Sequence, residues 1–158
     1  MSWNTDPEHG LLFRPYEEND RAACLDIFDG NVPRYFDRSE RAGFTEDLER
    51  SGSRTPYFVL IQHARIIGCG GLVISSDGTR SGLSWGMVDP AHQRRGMGAA
   101  LLRYRLAYLQ TMPLMRAVEL STSQHTQGFY QRFGFAVVDV VRDGFGPGLD
   151  RVDMVLHL

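Results

Sequence analysis

The chain has 158 residues, 42% of them hydrophobic and 23% charged, with a net charge of -2. That is enough chain to bury a core in one domain without metal or disulfide staples, and too apolar for a disordered segment. The near-neutral balance excludes the broad basic field of a nucleic-acid binder, and no apolar run approaches the ~18 residues of a membrane span, so neither partner is expected.

Residues 1–10 read as a loose tail of a single domain covering 1–158. A first strand fits Leu11–Pro15, followed by a helix with Asn19 and Asp20 at its start and Ala23, Cys24, Ile27 and Phe28 on its buried face. A second helix follows Pro33. Asp37 and Glu40 stand three apart as in a capping box, Phe44 and Leu48 mark the apolar face, and Gly52 and Pro56 end it. Residues 57–61, 66–74 and 82–88 are β-rich runs whose spacing predicts an antiparallel meander. Gly68, Gly70 and Gly71 in the middle run point to a bulge or a close backbone approach. The period then changes, and Leu102, Leu106 and Leu109 predict an amphipathic helix that Pro113 stops. A strand at 117–122, a short helix at 128–134 held by Phe129 and Phe133, and strands near 135–142 and 150–157 complete the chain. The order is β-α-α-β-β-β-α-β-α-β-β, an α/β (α+β) arrangement in which about seven strands form a mixed, mostly antiparallel sheet flanked by four helices. Its edge strands allow a homodimer.

Cys24 and Cys69 fit neither a redox pair nor a zinc ligand set and are expected as buried thiols, no metal site is read, and the N-terminus carries no leader, which predicts a cytoplasmic protein.

The stretch HQRRGMGAALL opens the long helix. A helix N-terminus presents unpaired amides and about half a positive charge. Gly96 and Gly98 remove the Cβ atoms that would hold a ligand away, and Arg94 and Arg95 add forked donors, which suits a diphosphate. All seventeen basic residues are arginine, so a Walker loop, which needs lysine, is excluded. A dinucleotide fingerprint is opposed by Leu101 in place of the third glycine and by DPAHQRR between the strand and the first glycine.

VDPAHQRRGMGAALL closely resembles the V-x-P-x-x-Q/R-x-x-G-x-G/A motif of the GNAT (Gcn5-related N-acetyltransferase) acyltransferases. GFYQRFGF resembles their F-Y-x-x-x-G-F signature, and the element order agrees from end to end. The resemblance implies the GNAT fold and acetyl-CoA as donor. Gly86, Met87 and Val88 would run along the pantetheine arm, and Gln93, Arg94, Arg95, Gly96, Met97, Gly98 and Ala99 would wrap the diphosphate. Ser123 or Gln124 would inherit the cofactor contact of an asparagine frequent in the family.

Transfer to an amine needs an oxyanion donor, an acid for the leaving thiolate and a base. The resemblance gives the first role to the amide of Val88 or Met87 and the second to Tyr130. The family's glutamate early in the strand ending at Val88 is replaced here by Gly82. Glu119, within one residue of a glutamate used by ribosomal-protein acetyltransferases of the family, is the candidate base, with His125 or water as alternatives. The implied activity is acetyl transfer to a primary amine of a small molecule or peptide by direct attack in a ternary complex; the alternative is a CoA-binding sensor of the same fold. Tyr35, Phe36, Trp85 and Phe145 are candidate walls for the acceptor.

Overall fold

The computed structural model describes the backbone of Thr5–Asp6 and of residues 10–158. The strands are β1 (Thr5–Asp6), β2 (Leu11–Pro15), β3 (Tyr57–Gln62), β4 (Arg65–Ile74), β5 (Arg80–Val88), β6 (Ala117–Thr122), β7 (Ala136–Gly146) and β8 (Leu149–His157). The helices are α1 (Arg21–Gly30), α2 (Arg41–Glu49), α3 (Met97–Gln110) and α4 (Gln127–Gln131). From β2 onward this is the order expected. The expected tail is corrected at two residues: Thr5 and Asp6 pair with Leu12 and Leu11. The rest of residues 1–9 lies outside the described set.

The chain divides into two compact units, one of residues 1–73 and 84–111 and the other of residues 74–83 and 112–158. In the first unit, β1 to β4 pair antiparallel in sequence order. In the second, the start of β5 pairs parallel with β6, which pairs antiparallel with β8, and β8 with β7. The hydrogen-bonded order is therefore β1-β2-β3-β4-β5-β6-β8-β7. The parallel step follows from connectivity, since a helix and not a hairpin joins β5 to β6.

The YFVLI run is covered on both sides. Tyr57 and Val59 join Cys24, Ile27, Phe28, Phe44, Leu48 and Cys69 in one cluster under α1 and α2. The alternate residue Phe58 meets Tyr104 and Tyr108 of α3 edge-on, and Phe13 stacks on Tyr104 at 4.4 Å. A period of two thus assigns each residue of one strand to one helical layer. The glycine run is explained by close approach: a Cβ on Gly71 would lie 2.5 Å from the Tyr57 ring and 2.9 Å from the Pro56 carbonyl. Cys24 and Cys69 are buried free thiols, and their mutual hydrogen bond, followed by burial, pushes the Cys24 thiol up.

The second unit buries Val118, Phe135, Val152 and Met154. Strand β7 extends four residues beyond the expected 142, so that most of the presumed connection to β8 is hairpin. Its Val138 and Val140 are exposed on the sheet edge, with register shifts at 137–139 and 141–146.

The capping box at Asp37 and Glu40 is present. The N-cap of α1 is Asp20 rather than the expected Asn19, and its side chain does not cap that helix; it closes the preceding turn by accepting from the Glu17 amide at 2.8 Å, and both its oxygens accept from Arg14 at 2.7 and 2.8 Å. The Arg14 hydrogen bond holds the buried Asp20 carboxyl below the usual carboxylate range. A depressed folded pKa stabilises above the unfolded value of about 4 and loses that stabilisation as pH falls through the folded value. Asp20→Asn should therefore cost about 1–2 kcal/mol at pH 7 and flatten the acid limb of stability below about pH 4. Urea unfolding across that range checks both.

Candidate active site

Strand β5 ends at Val88, and the Asp89 side chain accepts from the Ala91 amide at 3.1 Å to start a single turn at Pro90–His92. The backbone then turns through two left-handed residues, Arg94 at φ 62° and Gly96 at φ 80°. Gly96 is the N-cap of α3, where no side chain caps the helix, and the first intrahelical bond runs from the Ala100 amide to the Gly96 carbonyl at 3.0 Å. The amides of Met97, Gly98 and Ala99 therefore open the helix without an intrahelical acceptor. Met97 is buried and anchors the turn, while Arg94, Arg95, Gly96 and Gly98 are exposed. A cavity of about 140 Å³ beside them is lined by Leu11, Arg95, Gly96, Met97, Ala99 and Arg103.

Gly96 is explained by its φ. Gly98 is not: it lies in the helix with no atom within 4 Å of an added Cβ. Alanine there would favour the free helix by about 1 kcal/mol. The open space is what a ligand needs to reach the amides, so a diphosphate fits this turn.

Gln93 faces elsewhere. Its Nε2 donates to Asn31 Oδ1 at 2.7 Å and to the Val88 carbonyl at 3.0 Å, so its side-chain amide fastens the loop to the protein. Asn31 was not singled out by the sequence, where nothing but a lone asparagine after α1 marks it.

The Asp89 amide donates to Ile67 O in β4 at 2.7 Å. Alternation along the strand turns Val88 to the opposite edge, and its carbonyl there accepts from Asn31 and Gln93. Gly86 is exposed, and a Cβ on it would lie 3.0 Å from Arg105 Nη2. Trp85 adopts φ 42°. Three anchors hold it there: its carbonyl accepts from the buried Tyr57 hydroxyl at 2.8 Å, its Nε1 donates to Asp47 at 2.8 Å, and its ring meets Phe28, Phe36 and Phe44. Burial pushes the Tyr57 phenol up, which keeps it a donor. Of the other candidate walls, Tyr35 and Phe145 are exposed.

The remaining candidates fall in the second unit. Tyr130 is half-buried on α4, edge-on to Phe129 and Phe135, and its hydroxyl makes no hydrogen bond to a described residue. Ser123 accepts from the His125 amide at 3.2 Å, and the Gln124 side chain is held by Gly148 O at 2.8 Å and Asp150 N at 2.9 Å. Ser123 thus serves its own turn, and Gln124 fastens that turn to the hairpin between β7 and β8. Glu119 is paired with Arg80. Among the described residues no group of three His, Cys, Asp or Glu side chains could hold a metal, and no helix is long and apolar enough to cross a membrane.

The sequence profile of the acetyltransferase (GNAT) domain matches residues 53–137, more than half of the chain. The chain belongs to the GNAT acetyltransferase family. It is an acyltransferase, an N-acetyltransferase with acetyl-CoA as donor. The fold agrees: a GNAT-family protein from Desulfovibrio desulfuricans superposes with a TM-score of 0.82 at 19% identity, over 93% of this chain and 98% of that one. The ribosomal-protein-S18-alanine N-acetyltransferase from Escherichia coli gives 0.78 at 20% identity over 93% of each chain. An aminoglycoside 6'-N-acetyltransferase complexed with coenzyme A gives 0.77 at 14% identity, over 92% of this chain and 96% of that one. No curated protein matches the sequence significantly.

In this GNAT chain, Gly98→Ala should raise the stability of the free protein by about 0.5–1 kcal/mol while weakening CoA binding, and Gly98→Leu should abolish binding. Urea unfolding and titration calorimetry give the two readouts, and unchanged affinity in Gly98→Leu would remove the loop assignment.

Proposed function

We propose that the protein transfers the acetyl group of acetyl-CoA to a primary amine of a small molecule or peptide by direct attack in a ternary complex. The observation that carries this reading is Gly98, a glycine inside a helix with open space where its side chain would be and uncapped amides on either side. The amides of residues 96–99 and the guanidinium groups of Arg94 and Arg95 hold the diphosphate. Residues 86–88 supply the strand edge for the pantetheine arm. The bound thioester supplies an activated acyl carbon.

The Val88 amide, on the edge of β5 away from β4, donates to the oxygen that gains charge as the amine nitrogen bonds to the acyl carbon. Tyr130 gives its proton to the sulfur as the C–S bond breaks, which suits a hydroxyl with no hydrogen-bond partner among the described residues. Glu119 takes the proton that the amine loses. Its support is register: Glu119 pairs directly with Gly82, so its side chain leaves the sheet on the face where the family's strand glutamate would stand. Arg80, two residues before Gly82, shares that face and pairs with the carboxylate. It must yield before Glu119 can accept a proton. Were that pairing to hold, CoA would bind and nothing would be transferred, which is the alternative sensor reading. Named neighbours in fold act on a ribosomal protein's alanine and on aminoglycosides, and amines of both kinds belong in a test.

Acetyl-CoA consumption over a panel of peptides, polyamines and aminoglycosides separates the readings, and a chain that binds CoA but consumes none with any amine is a sensor. Tyr130→Phe should lower kcat roughly hundredfold with CoA affinity retained. Glu119→Gln should lower kcat at neutral pH. A fully active variant of either kind overturns that residue's role.

A further inference from the structure

Asn31 follows the last residue of α1 and is only 3% exposed. Its side chain is fully used. Nδ2 donates to Ile27 O at 2.8 Å and to Val88 O at 3.0 Å, while Oδ1 accepts from Gln93 at 2.7 Å. Its own carbonyl accepts from the amides of Tyr35 at 2.9 Å and Phe36 at 3.2 Å. One residue therefore touches the end of β5, the first residue of the diphosphate loop and the segment that carries two aromatic wall candidates.

Two features make this more than a buried polar group satisfied. The loop is tied at its two ends, by Met97 buried at the start of α3 and by Gln93, whose side chain bonds both Asn31 and the Val88 carbonyl, so the bond from Gln93 to Asn31 helps set where the turn at Arg94 begins. The same corner is also wedged by shape, because a Cβ on Gly30 would lie 3.2 Å from the Pro90 ring. Two donors on the Val88 carbonyl fix the plane of the peptide that follows it, and a low-mobility contact of this kind transmits small displacements. On the other side, Phe36 packs against Phe28 and Trp85, so a shift of its amide moves the Trp85 wall.

We propose that Asn31 is a positioning residue that couples the donor loop at 93–99 to the acceptor-side segment at 32–36. The proposal rests on the reading of that loop as the CoA diphosphate site. CoA held at the loop would stabilise the bond from Gln93 to Asn31 that is already formed, and with it the Tyr35 and Phe36 amides that Asn31 accepts from.

Amide hydrogen exchange of the wild-type protein, free and saturated with CoA, tests this together with calorimetry. Exchange at Tyr35 and Phe36 should slow about fivefold on saturation. Gln93→Ala, a change at a half-exposed loop side chain, should raise the Kd for CoA about tenfold, or about 1.4 kcal/mol, and should abolish the slowing even at saturating CoA. Asn31→Ala should do the same, and the double variant should bind no worse than either single one, because the two side chains act as one clamp. Additive penalties would mean that Gln93 meets CoA by itself, and unchanged exchange at 35 and 36 in the saturated wild type would mean that no coupling exists. Either result overturns the proposal. If Asn31→Ala does not fold, the exchange of Gln93→Ala at saturation decides the matter. Absence of CoA binding to the wild type is a separate outcome, which removes the loop reading and this proposal with it.

Discussion

The first turn of α3 begins with backbone amides that no side chain caps, and the rest of the site is arranged around keeping them available. At φ 80° a serine or aspartate cap at 96 would be strained, whereas alanine at 98 would favour the helix by up to about 1 kcal/mol. The sequence has glycine at both. Gly96 takes the left-handed conformation that starts the helix, Met97 is buried to anchor it, and Gly98 leaves the approach open. A turn so lightly built needs a fixed entry, and Gln93 bound to buried Asn31 provides it. Local stability is given up at one place and restored by a long-range hydrogen bond at another.

The corner at Trp85 follows the same logic with opposite chemistry. Trp85 holds a backbone conformation that costs a bulky residue roughly 1–3 kcal/mol, and it does so inside a strand. The Tyr57 hydroxyl, the Asp47 carboxylate and three phenylalanine rings keep it there. Tyr57 can serve because its ring fills the space that Gly71 leaves empty. The glycine in β4 and the bent tryptophan in β5 are thus parts of one arrangement, linked by a buried phenol.

Local signals carried most of the fold into the sequence. The change of hydrophobic period at residue 97, the capping box at Asp37 and Glu40, and the alternation that splits Tyr57 and Val59 from Phe58 depend on neighbours a few residues apart. The exposed turn that opens α3 was legible for the same reason, as glycines and arginines crowd it. Asn31 was not, because its partner Gln93 is 62 residues away and an asparagine after a helix has many uses. Nor could the pairing of Arg80 with Glu119 be read, since it depends on a parallel register that no turn residue sets. The two residues at Thr5 and Asp6 carry no period at all, and only pairing with β2 makes them a strand.

The absence of lysine bears on the chemistry as well as on the exclusion of other phosphate loops. An acetyltransferase brings an activated acyl group next to its own surface, where any neutral side-chain amine competes with the intended acceptor. A lysine loses its proton readily when buried or beside another cation, and then it is a nucleophile. A guanidinium stays protonated under all these conditions, yet it binds phosphate oxygens with two parallel donors. Building every side-chain cation from arginine, including Arg94 and Arg95 beside the uncapped amides of α3, gives forked donors suited to an anion while offering an acyl group no side-chain amine.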